Sequence, residues 1–454
     1  MTGLKLSRKI MKHPQSELAI HGGPKAVTTE ITTIFKWPII TREDENAVLD
    51  VLRRGAMSGT DETIKFEEEF ANWQGTHYAL ACNNGTAALQ SALYGCGISV
   101  GDEIICPSLT YWASALPVFA LGASVVFADI DPVTLCLNPR DIEHRISANT
   151  RAIVVVHFLG HPADMDPIMA IANRHKLKVV EDVSHAHGGL YKGRKLGTIG
   201  DVAGMSMMSG KSFAIGEGGM LTTNSREIYE RALAFGHYER FNETITTPEL
   251  SPYRNLPLGG YKYRMHQLSS AVGRVQLKHY DERVHEIRRA MNFFWDELID
   301  VPGLHAHRVN EEGYNTMAGW YMPHGLYAPN ELGGLSVTRF AEAVRAEGSQ
   351  CTPGTNKPLH LHPLLTEADV YGHDRPTRIA HASRDLIREQ GSLPVSEQIG
   401  TLTFGIPWFK QFDRGIISEH ANAYRKVAAK YRSLLDADPG NPSVLTNWPS
   451  VSVD

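Results

Sequence analysis

Between Tyr78 and about Thr223, short apolar runs recur among more polar segments. The runs are Tyr78–Cys82, Glu103–Cys106, Ser124–Ala128, Ala152–Phe158, Lys178–Val183, Val202–Met208 and Met220–Thr223. Those lying between helix-length segments read as strands buried on both faces, the pattern of a mostly parallel sheet. Helix candidates are Glu43–Arg54, Thr86–Tyr94, Trp112–Ala120, Asp166–His175 and Ser225–Phe235, with Pro167 well placed at a helix start. An α/β layered core follows. A long helix is expected from near His266 towards Phe294, carrying Leu268, Val272, Val275 and Leu277 near helical spacing and linking two domains.

Beyond Leu304 the pattern changes. Short strands (Trp320–Tyr327), a helix behind a Ser/Thr signal (Ser336 to Ala346), a His- and Pro-rich loop region and a last helix (Ser418 to Leu434) read as a smaller α+β domain. The division expected is an N-terminal arm over 1–35, a large domain over 36–290, a small C-terminal domain over 291–436, and a flexible turn-rich tail over 437–454. There is no internal repeat.

Composition narrows the classes. At roughly 100–200 residues per domain, 454 residues allow two or three domains, and the 42% apolar content provides large cores. A net charge of −5 argues against a nucleic-acid binder or a disordered chain. The longest mostly apolar stretch, Ala115 to Ala128, is broken by Pro117 and Gly122 and is too short for a membrane helix. The basic residues Lys5, Arg8, Lys9 and Lys12 are not followed by an apolar signal-peptide region, so a cytoplasmic location is expected. Five cysteines (82, 96, 106, 136 and 351) without CxxC spacing argue against a disulfide framework or a zinc site.

Three glycine-rich stretches invite nucleotide readings. Gly95-Cys-Gly97-Ile-Ser-Val-Gly101 has three residues after its second glycine where the dinucleotide fingerprint has two. In Gly204-Met-Ser-Met-Met-Ser-Gly210-Lys211-Ser212, five residues separate the glycines where a P-loop has four. Asn83-Asn84-Gly85-Thr86-Ala87-Ala88 sits where a strand gives way to a helix, so its free N–H groups and the helix dipole suit a phosphate. An ordinary N-cap at Thr86 is the competing reading. Strand Lys178–Val183 ends in Glu181-Asp182, and strand Val202–Met208 runs into Ser209-Gly210-Lys211. Both strands would open on the same sheet edge, where ligands usually bind. A phosphate site, a carboxylate and a lysine in that order meet the needs of pyridoxal phosphate: an anion site, an acid for the pyridinium nitrogen and an amine for covalent attachment.

On these residues the chain resembles the DegT/DnrJ family of pyridoxal-phosphate sugar aminotransferases, whose fold is that of aspartate aminotransferase (type I). The resemblance runs from about Phe35 to Tyr431 and is carried by Phe66-Glu-Glu-Glu-Phe-Ala71, Asn84-Gly-Thr-Ala-Ala-Leu89, Pro107-Ser-Leu-Thr-Tyr111, Glu181-Asp-Val-Ser-His-Ala-His-Gly188, Gly200-Asp-Val202, Gly216-Glu-Gly-Gly219 and Gly260-Tyr-Lys-Tyr-Arg-Met265. It implies a large domain with a mostly parallel sheet flanked by helices, plus a smaller α+β C-terminal domain.

By that resemblance Lys211 is the Schiff-base lysine and Asp182 the partner of the pyridine nitrogen. Tyr111 would stack on the cofactor ring, Gly85 and Thr86 would offer backbone N–H groups to the phosphate, and Ser206 would add a hydroxyl. Read alone, without the resemblance, Tyr111 is a core aromatic and Ser206 a core hydroxyl. His185 would lie against the cofactor or make a structural hydrogen bond. Lys262 stands where relatives more often have Asn reaching from the neighbouring subunit towards the phosphate. His360 matches a histidine before the substrate-side loop. His362, His373 and His381 lack metal-ligand spacing and read as loop residues.

The activity implied is ping-pong transamination from glutamate or glutamine to the keto group of a nucleotide-activated sugar or a cyclitol, with Lys211 moving the proton, in a homodimer that shares its active sites. The Lys211 surroundings and Leu393-Pro-Val-Ser-Glu397 look nearest the branch that aminates keto-inositols with glutamine. A family sugar dehydratase, in which His replaces the lysine, a kinase-like protein built on Gly210-Lys211-Ser212, and a catalytically silent scaffold are the competing readings.

Overall fold

Seven strands assemble the large sheet of the computed structural model, which describes residues 17–30, 33–240, 245–379 and 382–443. They are β1 (Tyr78–Cys82), β2 (Glu103–Pro107), β3 (Ser124–Ala128), β4 (Thr150–Val156), β5 (Lys178–Asp182), β8 (Val202–Ser206) and β9 (Gly219–Thr223). The strands β6 (Leu190–Tyr191) and β7 (Arg194–Lys195) form a separate small hairpin. The sheet order is β1-β9-β8-β5-β4-β2-β3. Strands β2, β3, β4, β5 and β8 pair in parallel, and β9 alone in the sheet runs against its neighbours. The expected α/β layering is therefore present. Helices cover the sheet, so central strands such as Ile104–Cys106 and Val179–Val180 are sealed from water.

Helix Gly85–Gly95 lies flush on β8. A Cβ added to Gly85 would stand 2.5 Å from the Ser206 Cβ, so glycine is what permits the approach. Of the expected helices, Trp112–Ala120 is different: it splits into 3₁₀ turns at Trp112–Ser114 and Leu116–Leu121. Pro117 has no N–H for an α-helical bond and opens the second turn instead.

The long helix Gln267–Asp296 belongs to two cores. Its Tyr280 packs in the large core, whereas Ile287, Met291, Phe294 and Trp295 pack in a second one with Phe340, Phe404 and Tyr424. The second core covers an antiparallel sheet of β10 (Leu304–Ala306), β11 (His324–Tyr327), β12 (Thr352–Pro353) and β13 (Thr403–Gly405), ordered β10-β11-β13-β12. The run expected as strand from Trp320 begins only at His324, because Ala318, Trp320 and Met322 all have left-handed φ values of 49°, 50° and 46°. The last long helix is Arg414–Ala429, capped by Asp413 and followed by a short turn of helix Arg432–Leu435, in place of Ser418–Leu434.

The described residues nearest both ends meet this second core. Leu18 and Ile34 are buried in it. The buried Glu347 carboxylate accepts from the backbone N–H of Ala19 (2.8 Å) and Ala26 (3.0 Å) and from Lys426 Nζ (2.8 Å). The tail expected to be flexible is anchored where it starts, Asp438 accepting from Ser336 N (2.7 Å) and Asn441 from Thr338 N (3.2 Å). Residues 1–16 of the arm and 444–454 of the tail lie outside the described residues.

Candidate active site

Strands β1, β5 and β8 run in the same direction, so their C-terminal ends share one edge of the sheet. Asp182 is the last residue of β5 and Ser206 the last of β8, while only two residues separate β1 from helix Gly85–Gly95. At that edge Asp182, 4% exposed, accepts from Ser114 Oγ (2.6 Å) and from the backbone N–H of Ser184 (3.0 Å). Ser114 is itself held by Thr110 Oγ1 at 2.8 Å. A carboxylate so bonded keeps its orientation towards the open edge. Burial, reinforced by the Asp182 charge, pushes the neighbouring Cys106 thiol far up, so it stays protonated.

Lys211 projects from the loop between β8 and β9. That loop is a ladder: Met207 N–H donates to Gly218 O (2.9 Å), Ile215 N–H to Met207 O (2.9 Å) and Ser209 N–H to Gly216 O (2.8 Å), with Gly216 turning at φ 96°. The glycines here close a hairpin loop and make no P-loop. Burial lowers the Lys211 amine to about 8, against the raising effect of the Asp182 charge. Its Nζ lies 4.0 Å from the centre of the Tyr321 ring, and its carbonyl accepts from Trp37 Nε1 (2.8 Å).

The helix start beside them retains donors. Asn84 Oδ1 caps Ala87 N–H at 2.8 Å, which leaves the N–H groups of Gly85 and Thr86 at the positive end of the helix, with Ser206 packed against Gly85. Thr86 also borders a cavity of about 380 Å³ whose walls include Trp112, Phe119 and Arg378. His185 is buried with its Nδ1 accepting from Leu159 N–H (3.2 Å) and its ring 4.5 Å from that of Tyr321. Burial, then the Lys211 charge, keeps it neutral. Tyr111 is half-buried, 5.0 Å from the Trp112 ring, and with burial as the larger cause its presence raises the Tyr321 hydroxyl to about 12.

Two expected site residues stand apart. His360 uses both ring nitrogens within the protein, Nδ1 with Ser108 Oγ (2.7 Å) and Nε2 with Glu397 Oε1 (3.1 Å), so it fixes the 358–363 loop and has no nitrogen left for a ligand. Lys262 is exposed, its ammonium 5.9 Å from the Tyr238 ring. Among the described residues no cluster of three His, Cys, Asp or Glu could hold a metal ion, and no helix is long and apolar enough to cross a membrane; His381 lies outside the described residues.

A buried amine that gives up its proton more readily than an ordinary lysine, a hydrogen-bonded carboxylate and a helix start with unused N–H groups fit pyridoxal phosphate. The model of the DegT/DnrJ/EryC1/StrS aminotransferase family matches residues 38–403. The chain belongs to that family. It is 33% identical to the L-glutamine:scyllo-inosose aminotransferase of Streptomyces griseus, over 93% of this chain and 98% of that one. It is 39% identical to the GDP-perosamine synthase of Caulobacter vibrioides, over 66% and 77%. Among solved structures, the aminotransferase from Psychrobacter cryohalolentis superposes with a TM-score of 0.75 at 30% identity, covering 87% of this chain and 99% of that one.

This member of the aminotransferase family is thus a pyridoxal-phosphate enzyme with the type I fold. In it, Ser114, Tyr321 and Trp37 were not foreseeable as site residues. Ser114 sits four residues from Thr110 in a segment that reads as helix, and Tyr321 enters from a left-handed loop just before β11, more than 100 residues further along the chain. No spacing in the sequence links either to Asp182 or Lys211.

Proposed function

We propose that the enzyme moves an amino group from glutamine, or from glutamate, to the keto group of a cyclitol or sugar by a ping-pong cycle, in a homodimer in which Lys262 serves the partner's site. The observation that carries this is the meeting of Lys211 and Asp182 at one sheet edge under the Tyr321 ring. Bound pyridoxal phosphate supplies an electron sink that acidifies the donor's Cα–H. Gly85 and Thr86 N–H, with Ser206, bind the phosphate group. Asp182, oriented by Ser114 and Ser184, sets a negative charge against the ring nitrogen. Lys211 Nζ, unprotonated in a useful fraction at neutral pH, accepts the Cα proton and delivers it within the site. The Tyr321 ring covers that amine and excludes water from it. On the acceptor the same proton movements run in reverse.

A cyclitol acceptor with glutamine as donor is favoured by coverage: likeness to the scyllo-inosose enzyme extends over 93% of this chain. A nucleotide-linked keto sugar is the other acceptor class, supported by likeness to GDP-perosamine synthase. The presence of Lys211 speaks against the dehydratase reading, and its environment against a silent scaffold. The test offers glutamine and glutamate with scyllo-inosose and with several keto-sugar nucleotides. Amination of nucleotide sugars alone rules out the cyclitol, and no amination of either class with cofactor bound rules out the whole reading.

A further inference from the structure

Lys410 lies just beyond β13, 4% exposed, and its Nζ meets no hydrogen-bond acceptor among the described residues. Its Nζ rests against the Trp408 ring and 5.5 Å from the centre of the Trp37 ring. Its backbone N–H donates to the carbonyl of Ile34 (2.8 Å), joining this segment to the early part of the chain. Indole faces attract a cation but offer it no lone-pair acceptor. An ammonium buried this way is costly, and a position needing only bulk is better filled by an apolar residue. Burial pushes the amine down to about 5, so without an anion beside it the group rests neutral, and a carboxylate reaching it restores the proton and the charge.

Both rings that flank Lys410 also reach the reactive lysine. Trp37 Nε1 donates to the Lys211 carbonyl at 2.8 Å. Trp408 packs edge-on against Tyr321 at 5.7 Å, and the Tyr321 ring lies 4.0 Å from Lys211 Nζ. Trp37, Trp408 and Lys410 all fall outside residues 38–403, the stretch the family model matches.

We propose that Lys410 is a substrate-binding residue whose ammonium takes a carboxylate of the amino donor, entering beside the Trp37 and Trp408 rings next to Lys211. This rests on the transamination reading above. An amino-acid donor has one carboxylate on the carbon that gives its proton to Lys211, and glutamate has a second at its far end. A desolvated ammonium is a point charge that pairs strongly with a carboxylate approaching from any side. A keto-cyclitol carries no anion, whereas a nucleotide-linked acceptor carries phosphates, so measurement must separate the two half-reactions.

The experiment compares holoenzyme, K410M and K410Q by three measurements: quenching of tryptophan fluorescence by 2-oxoglutarate, the KM for each donor and for the acceptor, and Tm. The expected result is a rise of roughly ten- to hundredfold in the 2-oxoglutarate Kd and in donor KM, the loss of one charge-assisted hydrogen bond. The acceptor KM stays put, and Tm does not fall, since K410M removes an unpaired buried polar group. A rise with glutamine and glutamate alike assigns the α-carboxylate, a rise with glutamate alone the distal one, and both support the proposal. Unchanged donor KM and 2-oxoglutarate Kd in both variants overturn it, as does a rise confined to the acceptor. If the wild type aminates neither acceptor class, the functional reading fails, while 2-oxoglutarate binding to wild type and variants still decides Lys410.

Discussion

The Ser114 hydroxyl donates to Asp182 Oδ2 across 2.6 Å, joining two residues 68 positions apart. Ser114 lies in the broken turn that Pro117 prevents from becoming an α-helix, and Thr110 steadies its hydroxyl at 2.8 Å. One irregular segment therefore sets the direction of the carboxylate at the open sheet edge.

Replacing Ser114 with Ala should lower kcat by roughly ten- to hundredfold, the worth of a hydrogen bond to a charged group. Asp182→Asn should cost more, roughly a hundred- to thousandfold. Steady-state kinetics with saturating cofactor checks both, and an S114A enzyme as fast as wild type would show that Asp182 needs no such support.

Lys211 carries a pH prediction. Burial lowers its amine from the ordinary 10.5 to about 8, and only the unprotonated amine attacks. Near pH 7.5, roughly a quarter of such amines are unprotonated, against about one in a thousand for an ordinary lysine. Covalent capture of pyridoxal phosphate by apoprotein, followed by its absorbance band and by borohydride trapping, should thus speed up with pH and level off above about 8. Removing the Asp182 charge in D182N should move that midpoint lower, since this charge raises the amine. Lys211→Ala should give no trapped product.

Gly85→Ala tests the phosphate end. The new Cβ would stand 2.5 Å from Ser206 Cβ and 2.6 Å from its Cα, a backbone overlap that no rotamer relieves. Overpacking of this kind costs about 1–3 kcal/mol. Weaker cofactor binding in equilibrium titration and a lower Tm are expected together; wild-type values for both would mean that the helix does not rest on β8 as described.

Glu347 tests the docking of the early chain. Glu347→Ala strips an acceptor from two backbone N–H groups and leaves Lys426 without its ion pair. Breaking a buried pair costs about 3–5 kcal/mol, here towards the lower end because Lys426 is partly exposed. Denaturant melts should show it, with faster proteolysis within residues 17–30.

Much of this molecule was legible beforehand because its strands are short apolar runs and its cofactor residues follow strand ends. Strands β1 and β3 fall where the hydrophobic runs place them, and most of the helices expected before residue 240 agree within a residue or two. Helix Asp61–Gln74 was not among the expected helices: its Phe66–Ala71 run served only as a family marker. In the four-stranded sheet, β10, β12 and β13 have two or three residues each, too few for any period to register.

The local chemistry of the chain determined which residues can serve: a lysine and an aspartate past strand ends, and a glycine where helix meets sheet. Tertiary structure alone decided how they are tuned. The Lys211 amine is lowered by burial under a ring from a distant loop, Asp182 is aimed by a hydroxyl from a broken turn, and His360 is spent on Ser108 and Glu397. Desolvation and hydrogen bonding depend on which distant segments fold over a group, and that is information no local pattern carries.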